Sequence, residues 1–152
     1  MSAFSLIKNR ARAGQTVRTP QSVLVVDDEE LVLRFVDRVL RQADYRTTTA
    51  ASGPEAIRVT AESGPFDILV TDLMMPEMTG DELARRLRQN DPTLKVLYLT
   101  GFSDHLFKEK VTLWQDEAYL DKPCSVQGLL QAVSLLLHGR FEVNEVGSVA
   151  QG

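Results

Sequence analysis

Cysteine and histidine are scarce in this sequence. Among its 152 residues there are one cysteine, Cys124, and two histidines. One cysteine cannot form an internal disulfide, and three such side chains cannot complete a closed structural zinc site, which needs about four nitrogen or sulfur ligands. No apolar run approaches the ~20 residues of a transmembrane helix. The sequence therefore predicts no membrane insertion, and the low cysteine count fits a reducing cytosol.

An excess of positive charge is also missing. The net charge is −4, which argues against direct binding to nucleic acid. Residues 1–20 contain four basic residues and no acidic one, so the rest of the chain carries −8. The apolar run at 4–7 is too short for a signal peptide and precedes the basic residues. We predict that residues 1–20 form a flexible basic arm; a vector scar or the end of an upstream helix are open alternatives.

The rest of the sequence alternates short apolar runs with amphipathic stretches. The β-branched run Ser22–Val26 is typical of a strand buried on both faces. Further strands are predicted at 45–49, 66–71, 94–99 and 118–120, and a helical pattern follows each strand. This order predicts an α/β fold, a parallel five-stranded sheet with helices on both faces. Small and polar residues predict a flexible C-terminal tail at 139–152.

Apolar spacing predicts which helix faces are buried. The fourth helix is expected at about 103–114, and Thr79 with Glu82 suggests a capping box at the start of the third. The core-facing residues predicted in the first helix form two rows, Leu31, Phe35 and Val39 beside Val32, Val36 and Leu40. Those predicted in the last helix are Val126, Leu129, Leu130, Val133, Leu136 and Leu137.

Polar side chains stand at the carboxyl ends of the predicted strands, where ligands bind in open α/β sheets. They are Asp27 and Asp28 after the first strand, Asp72 after the third, Thr100 after the fourth and Lys122 after the fifth. Three carboxylates in one crevice repel one another unless a cation is present. Oxygen ligands favour Mg²⁺, which attracts phosphate. The pattern predicts phosphoryl transfer onto a carboxylate.

Several short motifs in order resemble the receiver domain of two-component response regulators. They are VVDDE at 25–29, DLMMPEMTG at 72–80, TG at 100–101 and KP at 122–123. The resemblance covers about residues 21–138. It implies a flavodoxin-like, doubly wound sheet with strand order 2-1-3-4-5.

The resemblance also implies roles for individual residues. Asp72 would accept a phosphoryl group from a histidine kinase or a histidine phosphotransfer protein. Thr100 and Lys122 would contact that group, Tyr119 would be the aromatic switch, and the Lys122–Pro123 bond would be cis. Mg²⁺ would be held by Asp27, Asp28, Asp72 and the backbone carbonyl of Met74.

Such a domain is a signalling module of the cytoplasm rather than an enzyme. Phosphorylation would alter the surface formed by the fourth helix, the fifth strand and the last helix, which contacts a downstream protein or, in a homodimer, a second copy. The stretch at 97–104 is similar to receivers attached to hybrid histidine kinases.

Two other functions stay open at this stage. A Mg²⁺-dependent phosphatase using an aspartyl phosphate would need an acid two residues after Asp72, where this chain has Met74. A receiver-like docking domain that is never phosphorylated is the other. The chain also departs from the usual receiver pattern at Gly101, Cys124 and the step at 114–117. In receivers the positions of Met74 and Phe102 influence access of water, so two apolar residues predict slow hydrolysis of the phosphoryl group.

Overall fold

A computed structural model describes residues 20–101, 113–114 and 116–139 of the chain. Strands and helices alternate from the start to residue 100. In chain order the elements are β1 Ser22–Val26, α1 Glu30–Gln42, β2 Arg46–Ala50, α2 Gly53–Ser63, β3 Ile68–Asp72, α3 Gly80–Arg88, β4 Lys95–Thr100, β5 Leu113–Trp114, β6 Glu117–Asp121 and α4 Val126–His138. Within these ranges no helix is long and apolar enough to cross a bilayer.

The six strands found among the described residues belong to one sheet, in the order β2-β1-β3-β4-β6-β5. The first five in this order are parallel, and β6 is the fifth strand that the sequence predicts. The predicted fold class and strand order 2-1-3-4-5 are therefore confirmed. Since all five parallel strands end on the same side, their carboxyl ends share one edge of the sheet.

The extra strand β5 corrects one prediction. Leu113 and Trp114 pair antiparallel with Ala118 and Glu117, so the helix expected at 103–114 is wrong at its end. A turn at Asp116, which has φ +66°, reverses the chain. The Asp116 carboxylate accepts from the Lys95 ammonium at 2.9 Å and holds this turn against β4. Residues 103–112 of the predicted helix lie outside the described residues.

The core has two layers, one on each face of the sheet. On one face, α1 and α4 pack against residues such as Val25, Val70 and Leu97. On the other, α2 and α3 pack against residues such as Leu24 and Leu69. The strands β1 and β3 are buried on both faces, as their continuous apolar runs predict.

The helix faces are only partly as predicted. Val36, Val39 and Leu40 of α1 are buried, but Leu31 is 80% exposed and Phe35 is 37% exposed. The first turn of α4 likewise leaves Val126 exposed. Leu31 and Val126 occupy the first turn of their helices, so the apolar pattern continues past the part of each helix that the core covers.

The helix caps follow the sequence, with one difference. Thr79 Oγ1 accepts from the backbone N–H of Glu82, as a capping box requires. The Glu82 carboxylate, however, accepts from the guanidinium groups of Arg85 and Arg86. These charged donors one turn later bind the carboxylate strongly, so Glu82 stabilises the exposed face of α3 instead of returning to the cap.

Candidate functional site

Three aspartates meet where β1 and β3 end. The two strands are neighbours in register, with Val26 beside Thr71, so Asp27 and Asp72 follow side by side. One carboxylate oxygen from each of Asp27, Asp28 and Asp72 lies within 4.8 Å of the others. Asp27 is 1% exposed and Asp72 is 5% exposed, while Asp28 faces solvent. The chain has thus buried two carboxylates side by side.

Lys122 is brought to these aspartates by the end of β6. Its Nζ lies 3.2 Å from Asp27 Oδ2, 3.3 Å from Asp72 Oδ1 and 3.2 Å from Glu29 Oε1. The following Lys122–Pro123 peptide bond is cis, as the resemblance implies. Burial by itself would lower the pKa of Lys122, but the charges of Asp27 and Asp72 outweigh it and raise that pKa to about 12. The ammonium group is charged at every physiological pH.

One ammonium does not balance the acidic groups around it. Burial, followed by the charge of Asp27, raises the pKa of Asp72 to about 7, although Lys122 acts in the opposite direction. Burial also raises the pKa of Asp27. At neutral pH the metal-free site therefore keeps part of its protons, because two adjacent buried carboxylates resist ionising together.

The donor set fits a hard divalent cation. Asp27 Oδ1 accepts from the backbone N–H of Glu29 at 2.8 Å. Asp27 Oδ2 is buried and has no hydrogen bond, since the nearby Lys122 ammonium makes an ion pair without hydrogen-bond alignment. The oxygens of Asp27, Asp28 and Asp72 are the ligand type that Mg²⁺ prefers. A cation bound here would reduce the repulsion between the carboxylates and would give Asp27 Oδ2 a partner.

A glycine keeps the loop after β3 close to Asp72. The Gly80 N–H donates to the carbonyl of Leu73 at 2.7 Å. A Cβ at position 80 would overlap the backbone oxygen of Asp72 and press on Leu73 and Thr71. Glycine is therefore required where α3 begins, and this close approach fixes the backbone of Asp72.

Thr100 is the last residue of β4, and Tyr119 lies in the middle of the neighbouring strand β6. Thr100 is fully buried, and its Oγ1 donates to Asp121 Oδ1 at 2.9 Å. Tyr119 is half-buried, and its ring stacks on that of Tyr98 with centroids 4.9 Å apart and an angle of 24°. The hydroxyl predicted to face a phosphoryl group is thus bonded to Asp121 in this structure.

A cleft of about 680 Å³ opens beside the acidic groups. Asp28, Asp72 and Lys122 form its polar side. The apolar side includes residues from α1 and from the loops after β3 and β6; they are Leu31, Val32, Phe35, Met74, Pro123 and Cys124. Cys124 is half-buried and packs against the core, and burial raises the pKa of its thiol. Cys124 therefore packs as a small hydrophobic residue.

A family model described as the response regulator receiver domain matches residues 23–134. The chain belongs to this family. The response regulator receiver protein CpdR of Brucella abortus (strain 2308) is 34% identical over 115 residues, covering 76% of this chain and 95% of CpdR. The sensor kinase CckA of the same strain is 35% identical over 117 residues, covering 76% of this chain and 12% of CckA. A crystal structure of a receiver protein from Sinorhizobium medicae WSM419 covers 80% of this chain and 97% of its own, with 29% identity and a TM-score of 0.69.

The chain is therefore a receiver domain of two-component signalling, a family of signalling modules rather than of catalytic enzymes. Receiver domains generally bind Mg²⁺ through an acidic pocket, and this chain has such a cluster of aspartates. The polar residues predicted at the strand ends lie together at one edge of the sheet. Phe102, predicted at the rim, lies outside the described residues.

Sequence reasoning assigned no role to three residues of this receiver domain that contact the predicted site. Glu29 shares the Lys122 ammonium, Asp121 accepts from Thr100, and Tyr98 stacks on Tyr119. Two signals were available, because Glu29 and Asp121 each adjoin a predicted site residue. The partnership of Tyr98 and Tyr119 depends on the register of β4 and β6, which no local pattern reveals.

Proposed function

We propose that this receiver domain accepts a phosphoryl group on Asp72 from a histidine kinase or histidine phosphotransfer protein, with Mg²⁺ bound, and signals to a downstream partner in the cytoplasm. The observation that carries this proposal is the meeting of three aspartate oxygens within 4.8 Å, with the Lys122 ammonium about 3.3 Å from Asp72. The arm predicted at 1–20 and the tail predicted at 139–152 lie, apart from residues 20 and 139, outside the described residues.

The transfer would be a substitution at phosphorus. A carboxylate oxygen of Asp72 would attack the phosphorus of a phosphohistidine; a P–O bond forms, the P–N bond breaks, and the imidazole nitrogen keeps the electron pair. Lys122, already paired with Asp72, would neutralise charge on the transferring oxygens. Thr100 would donate to one of those oxygens once its hydroxyl is released.

The cation has a defined task in this scheme. Asp27, Asp28, Asp72 and the Met74 backbone carbonyl would hold Mg²⁺, which supplies positive charge beside the acceptor and the phosphoryl group. Burial and the charge of Asp27 raise the pKa of Asp72, so the absence of a metal favours the protonated form, which cannot attack phosphorus. A nearby cation stabilises the ionised form that attacks.

The shape of the cleft fits delivery by a protein. A phosphohistidine must approach Asp72 through the cleft, and the exposed side chains of Leu31, Phe35 and Met74 line the way in. Such apolar side chains beside a charged centre are suited to contact with a partner. Similarity to part of the sensor kinase CckA supports the proposal that this receiver domain belongs to a hybrid histidine kinase.

The output would begin at the end of β4 and β6. Engagement of Thr100 by the phosphoryl group would let Tyr119 move, and the surface of β6, α4 and the helix predicted within 103–112 would change for a downstream protein or a second copy. This is a shift between two states in which the phosphoryl group binds one state better.

Phosphorylation by a small donor tests the proposal. Incubation with acetyl phosphate and Mg²⁺ should add one phosphoryl group per chain, measured by intact mass, and Asp72→Ala should add none. Asp44→Asn is the matched control, because Asp44 is exposed at the opposite end of α1 with φ +72°, which asparagine tolerates. No modification of the wild-type chain, or equal modification of Asp72→Ala, would contradict the proposal.

A further inference from the structure

The side chain of Asp121 holds the hydroxyl of Thr100. The two residues are register partners on β4 and β6, and Thr100 Oγ1 donates to Asp121 Oδ1 at 2.9 Å. The Lys122 N–H also donates to the carbonyl of Thr100 at 2.8 Å, so the two backbones are fixed beside each other. The side-chain bond therefore forms within a rigid pair of strands.

A threonine hydroxyl has only one proton to donate. While that proton is directed at Asp121, it is not available to a phosphoryl oxygen on Asp72. Resting on the proposed function, we infer that Asp121 is a positioning residue that holds Thr100 in the unphosphorylated arrangement and thereby sets how readily this receiver switches.

Burial limits the access of water to Thr100 more than to Asp121. Thr100 is fully buried, so water cannot replace Asp121 as the acceptor of its proton. Asp121 is only partly buried, so water can reach its carboxylate when Thr100 turns away. Leaving a buried hydroxyl unpaired is costly, so Thr100 exchanges Asp121 for another acceptor rather than for none. A phosphoryl oxygen on Asp72 is such an acceptor.

A second register pair on the same side of these strands extends this arrangement. Tyr98 and Tyr119 lie two residues before Thr100 and Asp121, on the same side of the same two strands, and their rings are stacked. Both side chains that move in the proposed switch are thus held by a partner across β4 and β6. Removal of the Asp121 acceptor should loosen this end of the sheet without altering the Mg²⁺ ligands.

Beryllofluoride, which mimics a phosphoryl group on a carboxylate, measures the effect. In titration calorimetry of the full chain with excess Mg²⁺, Asp121→Ala should bind beryllofluoride about three- to tenfold more tightly than the wild type, the range expected from one net hydrogen bond. Mg²⁺ affinity measured without beryllofluoride should stay the same, whereas general damage to the site would weaken both. Equal or weaker beryllofluoride binding by Asp121→Ala would overturn the inference.

Two further variants separate the hydrogen bond from the charge. Asp121→Asn keeps a carbonyl oxygen for Thr100 but removes the negative charge, so it should resemble the wild type. Behaviour like Asp121→Ala would mean that charge, and not the bond to Thr100, is responsible. In a Thr100→Val background, Asp121→Ala should have no effect on beryllofluoride affinity; a full effect there would also overturn the inference.

The bond itself can be tested without phosphoryl chemistry. In urea unfolding of the metal-free chain, the variants Thr100→Val and Asp121→Ala should be non-additive, with a coupling of about fivefold in the unfolding equilibrium constant. Additive effects would disprove the pairing. If wild-type protein fails to bind beryllofluoride while this coupling is present, the proposed function fails and the pairing is only structural.

Discussion

At the carboxyl edge of the sheet, the polar groups near the ends of β1 and β3 differ from those near the ends of β4 and β6 in how completely they are paired. After β1 and β3, Asp27 and Asp72 are buried together and share a single ammonium, and one oxygen of Asp27 has no hydrogen bond. At the end of β4 and β6, Thr100 is bonded to Asp121 and the two tyrosine rings are stacked. Near the ends of β1 and β3, negative charge therefore exceeds positive charge, whereas near the ends of β4 and β6 the polar and aromatic side chains already have partners.

This difference implies opposite responses to a ligand. A cation or a phosphoryl group adds missing positive charge or new bonds at β1 and β3, so the folded state gains stability there. At β4 and β6 the same event must replace a bond that already exists. Under the proposed function, the response to phosphorylation depends on the difference between these two free-energy changes. Substitutions at the ends of β1 and β3 should therefore shift it in the opposite direction from substitutions at the ends of β4 and β6.

The largest effect is expected from the glycine behind Asp72. Gly80→Ala places a Cβ against the Asp72 backbone oxygen, which no side-chain rotation relieves, and should lower the free energy of unfolding by about 3 kcal/mol. Gly101, beside Thr100, is the matched control. A Cβ there would meet no atom of the described residues within 4 Å, so Gly101→Ala should change stability by less than about 0.5 kcal/mol. Urea unfolding measures both, and equal losses would contradict the contrast between the two ends.

The second effect is electrostatic and depends on pH. The folded-state pKa of Asp72 is about 7, above its ordinary value of 3.8, so the folded chain binds more protons than the unfolded chain between these values. The stability that protonated Asp72 contributes to the folded state is fully present below about pH 4 and is lost as the pH rises through about 7. At pH 8 without metal, Asp72→Asn should therefore be more stable than the wild type by on the order of 2 kcal/mol.

A pH series of urea unfolding in the presence of a chelator checks this sign. The advantage of Asp72→Asn should shrink from pH 8 to pH 5, and added Mg²⁺ should stabilise the wild type more than the variant. Glu62→Gln removes an exposed carboxylate of α2 and should be neutral at every pH, within about 0.5 kcal/mol. A less stable Asp72→Asn at pH 8 would mean that Lys122 fully compensates the buried acids.

The same contrast explains which features were predictable from sequence. Alternating apolar runs predicted the parallel sheet, whereas its strand order was predicted only from the resemblance to receiver domains. Because parallel strands end at the same edge, Asp27, Asp72, Thr100 and Lys122 were expected to lie together there. The direction of the Thr100 hydroxyl is not local, because it depends on which residue β6 places beside it. The exposure of Leu31 was also missed, since helical periodicity identifies an apolar face but not how far the core extends along it.

A smaller effect is expected from the tyrosine pair. Tyr98→Leu removes the stacked ring beneath Tyr119 and should cost about 1 kcal/mol beyond the lost burial, whereas Tyr98→Phe keeps the stack. The Tyr98 hydroxyl contributes only a long 3.4 Å bond to Glu117, so Tyr98→Phe should lose less than about 0.5 kcal/mol. Thermal unfolding distinguishes the two variants. Identical losses would show that the hydroxyl, and not the stack, stabilises this end of the sheet.

The smallest effect concerns the lifetime of the phosphoryl group. Met74 is 55% exposed on the rim of the cleft beside Asp72, where its apolar side chain offers attacking water no hydrogen bond. Met74→Asn provides a polar side chain that can orient water, and should raise the rate constant of phosphoryl loss about threefold, under ~1 kcal/mol in activation free energy. Met74→Leu, with similar size and no polar atom, should decay like the wild type. Decay of chains labelled with acetyl phosphate, followed by intact mass after removal of the donor, measures the rates. A wild-type lifetime of seconds that is the same in Met74→Asn would show that access of water is controlled elsewhere in the cleft.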